Sequence, residues 1–410
     1  MLRSGTYPLT TRIMDSQRNF DAIVVGGGVI GVSIAYHLAR LGAARVLLLE
    51  RGQQGGGTTA QSSCILRTHY SVPENVALAR AALDVFRDLA TYLDDPEADC
   101  GYHRCGYLIV APDGAPAAAV RASLAAGRAL GVDAREIGPD EAARIHPLLR
   151  LDDVALIGWE PDAGYADAYL TLTAFARAAR RLGVTIREGV TVTGLTRVGD
   201  RVTGVESTQG AFAADVVVSA QNIWTREVAA WAGIDLPLVL SRHAVFTLEG
   251  PTAYGRDLPV VKDLVAPGKL YFRSYGGRQV LVGDGNEGET IPEPDTEQAD
   301  VSLDYVVDIG AQLAHRMPAF EEAGLAASWT GVYDVTPDWN PVLGPLPGVA
   351  GLHVAYGFSG HGFKLAPVVG RLVAQAALGL PQDLPLAPYS FDRFAGNRLL
   401  TGRYGAGAVS

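Results

Sequence analysis

The glycine spacing of one short stretch limits what this chain can fold into more than any other feature. Residues 22–25 form an apolar run suited to a buried strand, and Gly26, Gly28 and Gly31 follow as G-x-G-x-x-G. The first glycine permits a tight turn, the second lets backbone approach a pyrophosphate, and the third lets helix and strand pack closely. The sequence therefore predicts a strand, a phosphate-binding turn and a helix whose N-terminus faces a dinucleotide.

A second strand with an acidic end completes this motif. Residues 46–49 are apolar, and Glu50 follows them about 20 residues beyond Gly28, as expected for a carboxylate that binds ribose hydroxyls. A glycine-rich turn without a ligand is the alternative, and the flanking strands and Glu50 disfavour it. We expect Val29 and Ile30, at the start of the helix, to line the nucleotide. Glu50 does not distinguish FAD from NAD, because either adenosine ribose would bind it.

Composition narrows the class of protein. The 410 residues favour two or three domains, and no apolar run is long enough to span a membrane. The net charge of −10 argues against a nucleic-acid partner. An odd set of cysteines, Cys64, Cys100 and Cys105, is typical of a reducing compartment, so we predict a cytoplasmic protein. Because no second group of metal-ligating residues accompanies Cys100 and Cys105, these two are interpreted as structural thiols, and no metal site is predicted.

The stretch after Glu50 departs from an NAD-type domain, which would continue directly to its next helix. Residues 51–63 are rich in Gly, Thr and Ser, whose amides and hydroxyls suit further phosphate and ring oxygens. The predicted contacts here are Arg51, Thr58, Thr59, Ser62 and Ser63. A helix is predicted over residues 73–93, and strands of the cofactor domain resume at residues 184–187, 189–193 and 215–219.

The pattern changes in the second half of the chain. Alternating, aromatic strands are predicted at residues 242–248, 270–275 and 279–283, with Gly276-Gly277 as a hairpin turn and a helix over 301–317. Such a block favours an antiparallel or mixed sheet that covers the reactive ring of a cofactor. A second glycine-rich stretch, AYGFSGHGFKLAP at residues 355–367, precedes another helix and again directs backbone N–H groups at an electron-rich group.

These two motifs, with the Thr58–Ser63 loop, Arg67 to Tyr70 and the segment WTGVYDVTPDWNP, resemble the D-amino-acid oxidase (DAO) superfamily of flavoenzymes. The resemblance covers about residues 22–378 and is to the branch of sarcosine oxidase, glycine oxidase and the sarcosine oxidase β subunit. It implies an α/β fold with a discontinuous FAD-binding domain of Rossmann-like, glutathione-reductase type and a substrate domain with a mixed, largely antiparallel sheet. The implied FAD-binding segments are 18–95, 158–236 and 327–395, the substrate segments 96–157 and 237–326, and the tails 1–17 and 396–410.

The resemblance also implies functional residues. Arg67 and Lys364 match the pair that holds a substrate carboxylate, and two cations facing one buried site would repel unless an anion lay between them. Tyr271 is expected to line the cavity, and His361 is either a base or a structural histidine of the flavin loop. The implied FAD contacts further along the chain are Val192, Gly331, Gly360, His361, Gly362, Phe363 and Lys364. Gly331 stands where a cysteine bonds flavin in monomeric sarcosine oxidase, so noncovalent FAD is expected.

The implied activity is oxidation of the C–N bond of an amino acid or N-alkyl amino acid by hydride transfer to FAD, giving an imine that hydrolyses. The substrate is a small carboxylated amine, and the electron acceptor is O2 or another acceptor. Leu281 occupies the place of the lysine that activates oxygen in sarcosine oxidase, which favours another acceptor. The alternative function is a flavin-bearing subunit or assembly partner of a larger amine-oxidising complex. The oligomeric state is left open.

Overall fold

The computed structural model describes residues 18–250, 254–255, 257–286, 288–294 and 300–402. The predicted tail at residues 1–17 and the end of the other tail, 403–410, lie outside the described residues. Within these ranges, no helix is both long and apolar enough to cross a membrane.

The strands of the described chain, in order, are β1 (Asn19–Val25), β2 (Val46–Leu49), β3 (Ile65–Leu66), β4 (Tyr107–Ala111), β5 (Arg135–Ile137), β6 (Leu156–Glu160), β7 (Gly164–Tyr165), β8 (Thr185–Arg187), β9 (Val192–Val198), β10 (Arg201–Ser207), β11 (Phe212–Ser219), β12 (Val239–Glu249), β13 (Val260–Asp263), β14 (Tyr271–Ser274), β15 (Gln279–Gly283), β16 (Glu289–Ile291), β17 (Gly324–Val335), β18 (Val342–Pro345) and β19 (Leu352–Tyr356).

The α-helices are α1 (Val29–Arg40), α2 (Pro73–Arg87), α3 (Leu89–Leu93), α4 (Ala115–Ala129), α5 (Pro139–Ile145), α6 (Ala168–Arg181), α7 (Thr225–Trp231), α8 (Leu303–Arg316) and α9 (Gly362–Ala377). Short 3₁₀ turns occur at Asn222–Trp224, Pro318–Phe320, Ala387–Tyr389 and Phe391–Arg393.

The first sheet has the strand order β18-β19-β11-β1-β2-β8, with the β9-β10 hairpin attached to β11. Its centre is parallel, and Val24 of β1 lies opposite Leu48 of β2 and Val218 of β11. Val24 and Leu48 belong to one hydrophobic core, whereas the alternating residues Ile23 and Leu47 belong to another on the opposite face. A strand buried on both faces needs a continuous apolar run, which explains why residues 22–25 of β1 and residues 46–49 of β2 are all apolar.

The second sheet has the order β16-β12-β15-β14-β13-β4-β6-β5, and β17 also pairs with β12. The β4-β13 pair is parallel, and the other described pairs are antiparallel. The predicted α/β class with a mixed, largely antiparallel second sheet is therefore confirmed. A third core, which includes Phe246, Phe272 and Leu313, packs this sheet against α8.

The predicted domain boundaries stay a prediction. The strand pairing places β6 and β17 wholly in the second sheet, although the predicted boundaries at residues 158 and 327 divide both strands. The antiparallel ladder between β17 and β12 runs from Gly324 to Val335, so the chain returns from one sheet to the other only after Val335.

Two predicted elements were wrong in detail. The single helix predicted over residues 73–93 is two helices, because the Asp88 side chain accepts a hydrogen bond from the Thr91 amide at 3.2 Å and caps a new helix. The strand predicted over 189–193 instead begins at Val192 as β9, since Gly189 has a left-handed φ of 68°.

Cys100 is buried, its thiol donates to the Phe86 carbonyl, and burial raises its pKa to about 11.

Candidate active site

The N-termini of α1 and α9 meet at one long cleft. Neither Gly28, which precedes α1, nor His361, which precedes α9, caps its helix with a side chain, and neither first turn contains an acid. A helix N-terminus leaves amide donors unpaired and carries roughly half a positive charge. The residues of these two helix starts that line the cleft are Gly28, Val29, Ile30, Gly360, Gly362 and Phe363. Two positive helix ends therefore converge on the same space.

The cleft extends in the other direction to Glu50, and we call that part the Glu50 arm. Glu50 accepts hydrogen bonds from the Gly27 amide at 2.7 Å and the Gly52 amide at 2.8 Å. Arg51 lies over the Trp224 ring at 4.0 Å. The lining of this arm includes Gly26, Glu50, Arg51 and Val192, and it shares Gly28, Thr58, Thr59, Ala220 and Asn222 with the remainder of the cleft. The shared lining makes the two parts one elongated space.

Two glycines of the first motif have no room for a side chain. Gly26 has a φ of 108°, and a Cβ added there would lie 2.6 Å from the Ala220 carbonyl oxygen. A Cβ at Gly31 would lie 1.9 Å from the Gly26 carbonyl oxygen. Gly31 is not among the residues described as lining the cleft, so its role in the structure is the close packing of turn and helix.

The loop after Glu50 forms one wall of the cleft. Thr59 Oγ1 accepts a hydrogen bond from the Val29 amide at 3.1 Å, and Ser62 and Ser63 also line the cleft. Gln61 is a lining residue that the sequence analysis missed. Its Cβ is 3.3 Å from the position a Cβ would take at Gly331, which also lines the cleft. No pattern in residues 51–63 distinguishes Gln61 from its neighbours.

A smaller space, which we call the inner cavity, adjoins the long cleft. Arg67, Lys364 and Tyr271 line it, and Tyr271 also lines the cleft. The Arg67 guanidinium packs 4.4 Å from the centre of the Tyr70 ring, and its Nη1 donates to the His69 carbonyl. The structure therefore brings the three residues together from the residue after β3, from β14 and from α9, although they are far apart in sequence.

The environment of Lys364 disfavours a positive charge. Its side chain is buried in the first turn of α9, where the positive end of the helix repels a cation. Burial, and then the nearby Arg67, lowers the pKa of Lys364 well below its usual value. An anion in the inner cavity would relieve both effects, because it would interact favourably with the ammonium, the guanidinium and the helix terminus.

His361 is not among the described residues that line the cleft or the inner cavity. It is buried, its ring centre is 5.4 Å from that of Tyr70, and among the described residues its Nε2 has no hydrogen-bond partner. Burial, followed by Lys364 and Arg67, lowers the pKa of His361 well below its usual value. The lowered pKa favours the neutral imidazole, and Nε2 fits a hydrogen-bond partner other than the described residues.

The inner cavity includes a histidine and a tyrosine to which the sequence analysis assigned no role. His243 of β12 and Tyr333 of β17 stack with ring centres 4.0 Å apart, and both line the cavity and the cleft. Ser241 Oγ lies 3.1 Å from His243 Nε2, and burial lowers the pKa of His243 to about 4. Tyr333 belongs to the segment WTGVYDVTPDWNP, but its position depends on the pairing of β12 with β17, which the sequence does not reveal.

Comparison with known proteins identifies the family. The family model described as FAD dependent oxidoreductase, DAO, matches residues 21–376. The chain belongs to the DAO family. The resemblance inferred from the sequence is thereby confirmed, and with it the dependence on FAD.

Relatives of this DAO protein include oxidoreductases of several kinds. FAD-dependent oxidoreductase domain-containing protein 1 of Bos taurus is 31% identical, over 91% of this chain and 84% of its own length. The 4-methylaminobutanoate oxidase (formaldehyde-forming) of Paenarthrobacter nicotinovorans is 30% identical, over 92% of this chain but only 46% of its own length. The crystal structure of an L-proline dehydrogenase from P. horikoshii has a TM-score of 0.86 at 26% identity, covering 93% of this chain and 99% of that chain.

The residues of the DAO chain fit FAD. The long cleft provides an acid at one end and two helix N-termini without an acid in their first turn. It also has a glycine at position 28, where a Cβ would come within 3.1 Å of Thr59 Oγ1. His361, whose buried Nε2 has no hydrogen-bond partner among the described residues, stands between Gly360 and Gly362, which both line the cleft. An elongated dinucleotide with a central pyrophosphate matches this sequence of acid, amide donors and buried polar atom.

Proposed function

We propose that this protein oxidises a C–N bond of a small carboxylated amine, either an amino acid or an N-alkyl amino acid, with FAD as the hydride acceptor. The imine that results would hydrolyse in water. The single observation that carries the proposal is the inner cavity, where Arg67 and Lys364 line a space that shares Tyr271 with the lining of the cofactor cleft.

We assign the residues of the long cleft to FAD. Glu50, Arg51 and Val192 would lie at the adenosine end, and the amides at the start of α1 would bind the pyrophosphate. Gly331, Gly360, Gly362 and Phe363 would lie along the flavin end. When bound, the flavin supplies two-electron chemistry, which no side chain of the protein supplies. With glycine at position 331, that position provides no nucleophile for a covalent bond.

The protein's own contribution is binding and orientation. Arg67 and Lys364 would hold the substrate carboxylate, and this fixes the position of the carbon next to the amine nitrogen. Removal of a hydride from a neutral amine needs no protein base in the bond-breaking step, in agreement with an imidazole at His361 that is neutral and buried. The helix N-terminus at Gly362 would stabilise negative charge that develops beside it, before the reaction begins.

The names of similar proteins support the substrate class. The names 4-methylaminobutanoate oxidase and L-proline dehydrogenase each denote a substrate with both a secondary amine and a carboxylate; the nitrogen of one carries a methyl group and that of the other lies in a ring. The carboxylate is what such substrates share, and two cations in one cavity are the feature of this chain that would recognise it.

Anaerobic flavin reduction tests this proposal. Purified holoenzyme would be mixed with sarcosine, proline, pipecolate, and D- and L-amino acids, and bleaching of the flavin would be followed by absorbance. We expect at least one carboxylated amine to bleach the flavin, and the corresponding amine without a carboxylate to fail. If only amines that lack a carboxylate bleach the flavin, the carboxylate site is ruled out. If turnover occurs only with a co-purified partner, the protein is better described as a flavin-bearing subunit.

We also propose that an acceptor other than O2 takes the electrons. Leu281 is fully buried on β15, and its apolar side chain offers no positive charge to stabilise reduced oxygen. The three free cysteines accord with the proposed cytoplasmic location.

A further inference from the structure

A second lysine, and third basic residue, lines the inner cavity. Lys262 of β13 pairs with Tyr271 of β14, and its Nζ lies 5.8 Å from the centre of the Tyr271 ring. Along β13, Val261 packs into the core behind the sheet and Val260 into the cluster on the other side, which includes Tyr107. Because side chains alternate along a strand, Lys262 lies on the same side as Val260, facing the inner cavity.

The ammonium of Lys262 is incompletely matched by the protein. Nζ donates to the Lys269 carbonyl at 2.6 Å, which uses one of its three donors on a neutral acceptor. Within the described ranges, no carboxylate forms a salt bridge with it. Asp284, which also lines the cavity, is near enough to favour its charge, and Arg67 is near enough to oppose it. Burial, followed by Arg67, lowers the pKa of Lys262 to about 7.

We infer that Lys262 binds a second acidic group of the substrate, so that the preferred substrate is an amine with two carboxylates. This inference rests on the proposed function, in which Arg67 and Lys364 hold the first carboxylate. Lys262 stands on a different element from both, across the cavity face formed by Tyr271, and its two remaining donors suit a carboxylate oxygen. A second carboxylate would also offset the repulsion between Lys262 and Arg67.

Matched substrate pairs test this inference. Sarcosine and iminodiacetate differ by one carboxylate on the nitrogen substituent, and N-methylalanine and N-methylaspartate differ by one on the side chain. Anaerobic stopped-flow reduction would give the apparent Kd of each for the holoenzyme. We expect the wild type to bind the dicarboxylate of at least one pair about tenfold or more tightly, and Lys262→Met to lose that preference, because a hydrogen bond to a charged group contributes this much.

Two further variants keep the test interpretable. Lys269→Met removes an exposed lysine from the same hairpin while keeping the backbone carbonyl, and should retain the preference. Lys262→Arg keeps the positive charge and should retain part of the preference for the dicarboxylate. Flavin content and the melting temperature of each variant would show that it has folded.

The outcomes separate this inference from the proposed function. If no carboxylated amine reduces the wild-type flavin, the proposed function itself fails. If monocarboxylates reduce it and Lys262→Met weakens both members of each pair equally, or slows only the reoxidation of reduced flavin by oxygen, Lys262 does not recognise a second carboxylate and the inference alone is overturned.

Discussion

The lining of the Glu50 arm is rich in glycine and includes two acids, Glu50 and Glu227, and the exposed cation Arg51. The inner cavity instead carries the side-chain cations Arg67, Lys262 and Lys364. Both regions are suited to anions. In the Glu50 arm the positive character comes from helix α1 and costs no buried side-chain charge. In the inner cavity the charge belongs to lysines whose pKa values burial lowers, so its strength depends on the ligand and on pH.

This difference teaches how the two regions should respond to substitution. The backbone site depends on the absence of side chains, so adding a single Cβ should destroy it. The side-chain site depends on particular charged groups, so removing one should weaken substrate binding and leave FAD in place. Loss of FAD on a substitution in the inner cavity, or retention of FAD after one in the glycine turn, would contradict this difference.

The largest effect is expected for Gly31→Val. Its Cβ would lie 1.9 Å from the Gly26 carbonyl oxygen, which would force α1 away from the turn that binds the pyrophosphate. We expect FAD affinity to fall roughly 100-fold or more, giving a colourless protein on purification. Gly324→Ala is the control, since no atom lies within 4 Å of a Cβ there and its φ is not left-handed. A yellow Gly31→Val protein with normal FAD affinity would contradict the assignment of the pyrophosphate to the backbone amides at the start of α1.

An intermediate effect is expected for Arg67→Met. Removing the guanidinium should raise KM and slow flavin reduction, lowering kcat/KM about 30-fold or more, because the lost interaction is with the substrate. FAD content should not change, which distinguishes this variant from Gly31→Val. Arg104→Met, which removes an exposed arginine paired with Asp162, should behave as the wild type. Unchanged kinetics for Arg67→Met would remove Arg67 from the substrate site.

The smallest effect concerns the pH dependence of stability. Asp334 lines the cleft and accepts a hydrogen bond from the Gly357 amide, and burial raises its pKa to about 7. The folded state therefore holds a proton on Asp334 that the unfolded chain releases near pH 4, so this group stabilises the fold below pH 4 and loses that contribution as the pH rises through 7.

Asp334→Asn removes this titration while keeping an acceptor for Gly357. We expect its melting temperature to fall less between pH 5 and pH 8 than that of the wild type, by a few degrees, as measured by differential scanning fluorimetry. Asp200→Asn, at a side chain that is 93% exposed, should follow the wild type. Parallel curves for Asp334→Asn and the wild type would show that Asp334 is ionised in the folded protein at all of these pH values.

Local chemistry made most of the fold predictable. The apolar runs of β1 and β2, the glycine turn and the amphipathic α8 follow from residues that are neighbours in sequence. The break at Asp88 was missed because an aspartate within an apolar period can either face solvent or cap a new helix, and only the observed hydrogen bond to Thr91 decides this. The long strand β17 was missed because its pairing with β12 is a long-range contact.

The same division holds for the candidate site. Arg67 and Lys364 stood out through motifs, whereas Lys262 and His243 look like ordinary residues of apolar strands. Their placement beside the inner cavity follows from the register of β13 with β14 and from the position of β12 between β15 and β17. Nothing near them in sequence encodes that register.

By itself, the sequence determined that this chain has a glycine turn for a dinucleotide, two cations within flavin-associated motifs and no cysteine at residue 331. These are properties of single residues and short spacings, set by steric exclusion at the backbone and by the chemistry of each side chain. Only the tertiary structure decided that Arg67, Lys262 and Lys364 share one cavity and that His361 Nε2 has no hydrogen-bond partner among the described residues. Burial and through-space charge interactions set these properties, and both depend on which distant strands and helices pack together.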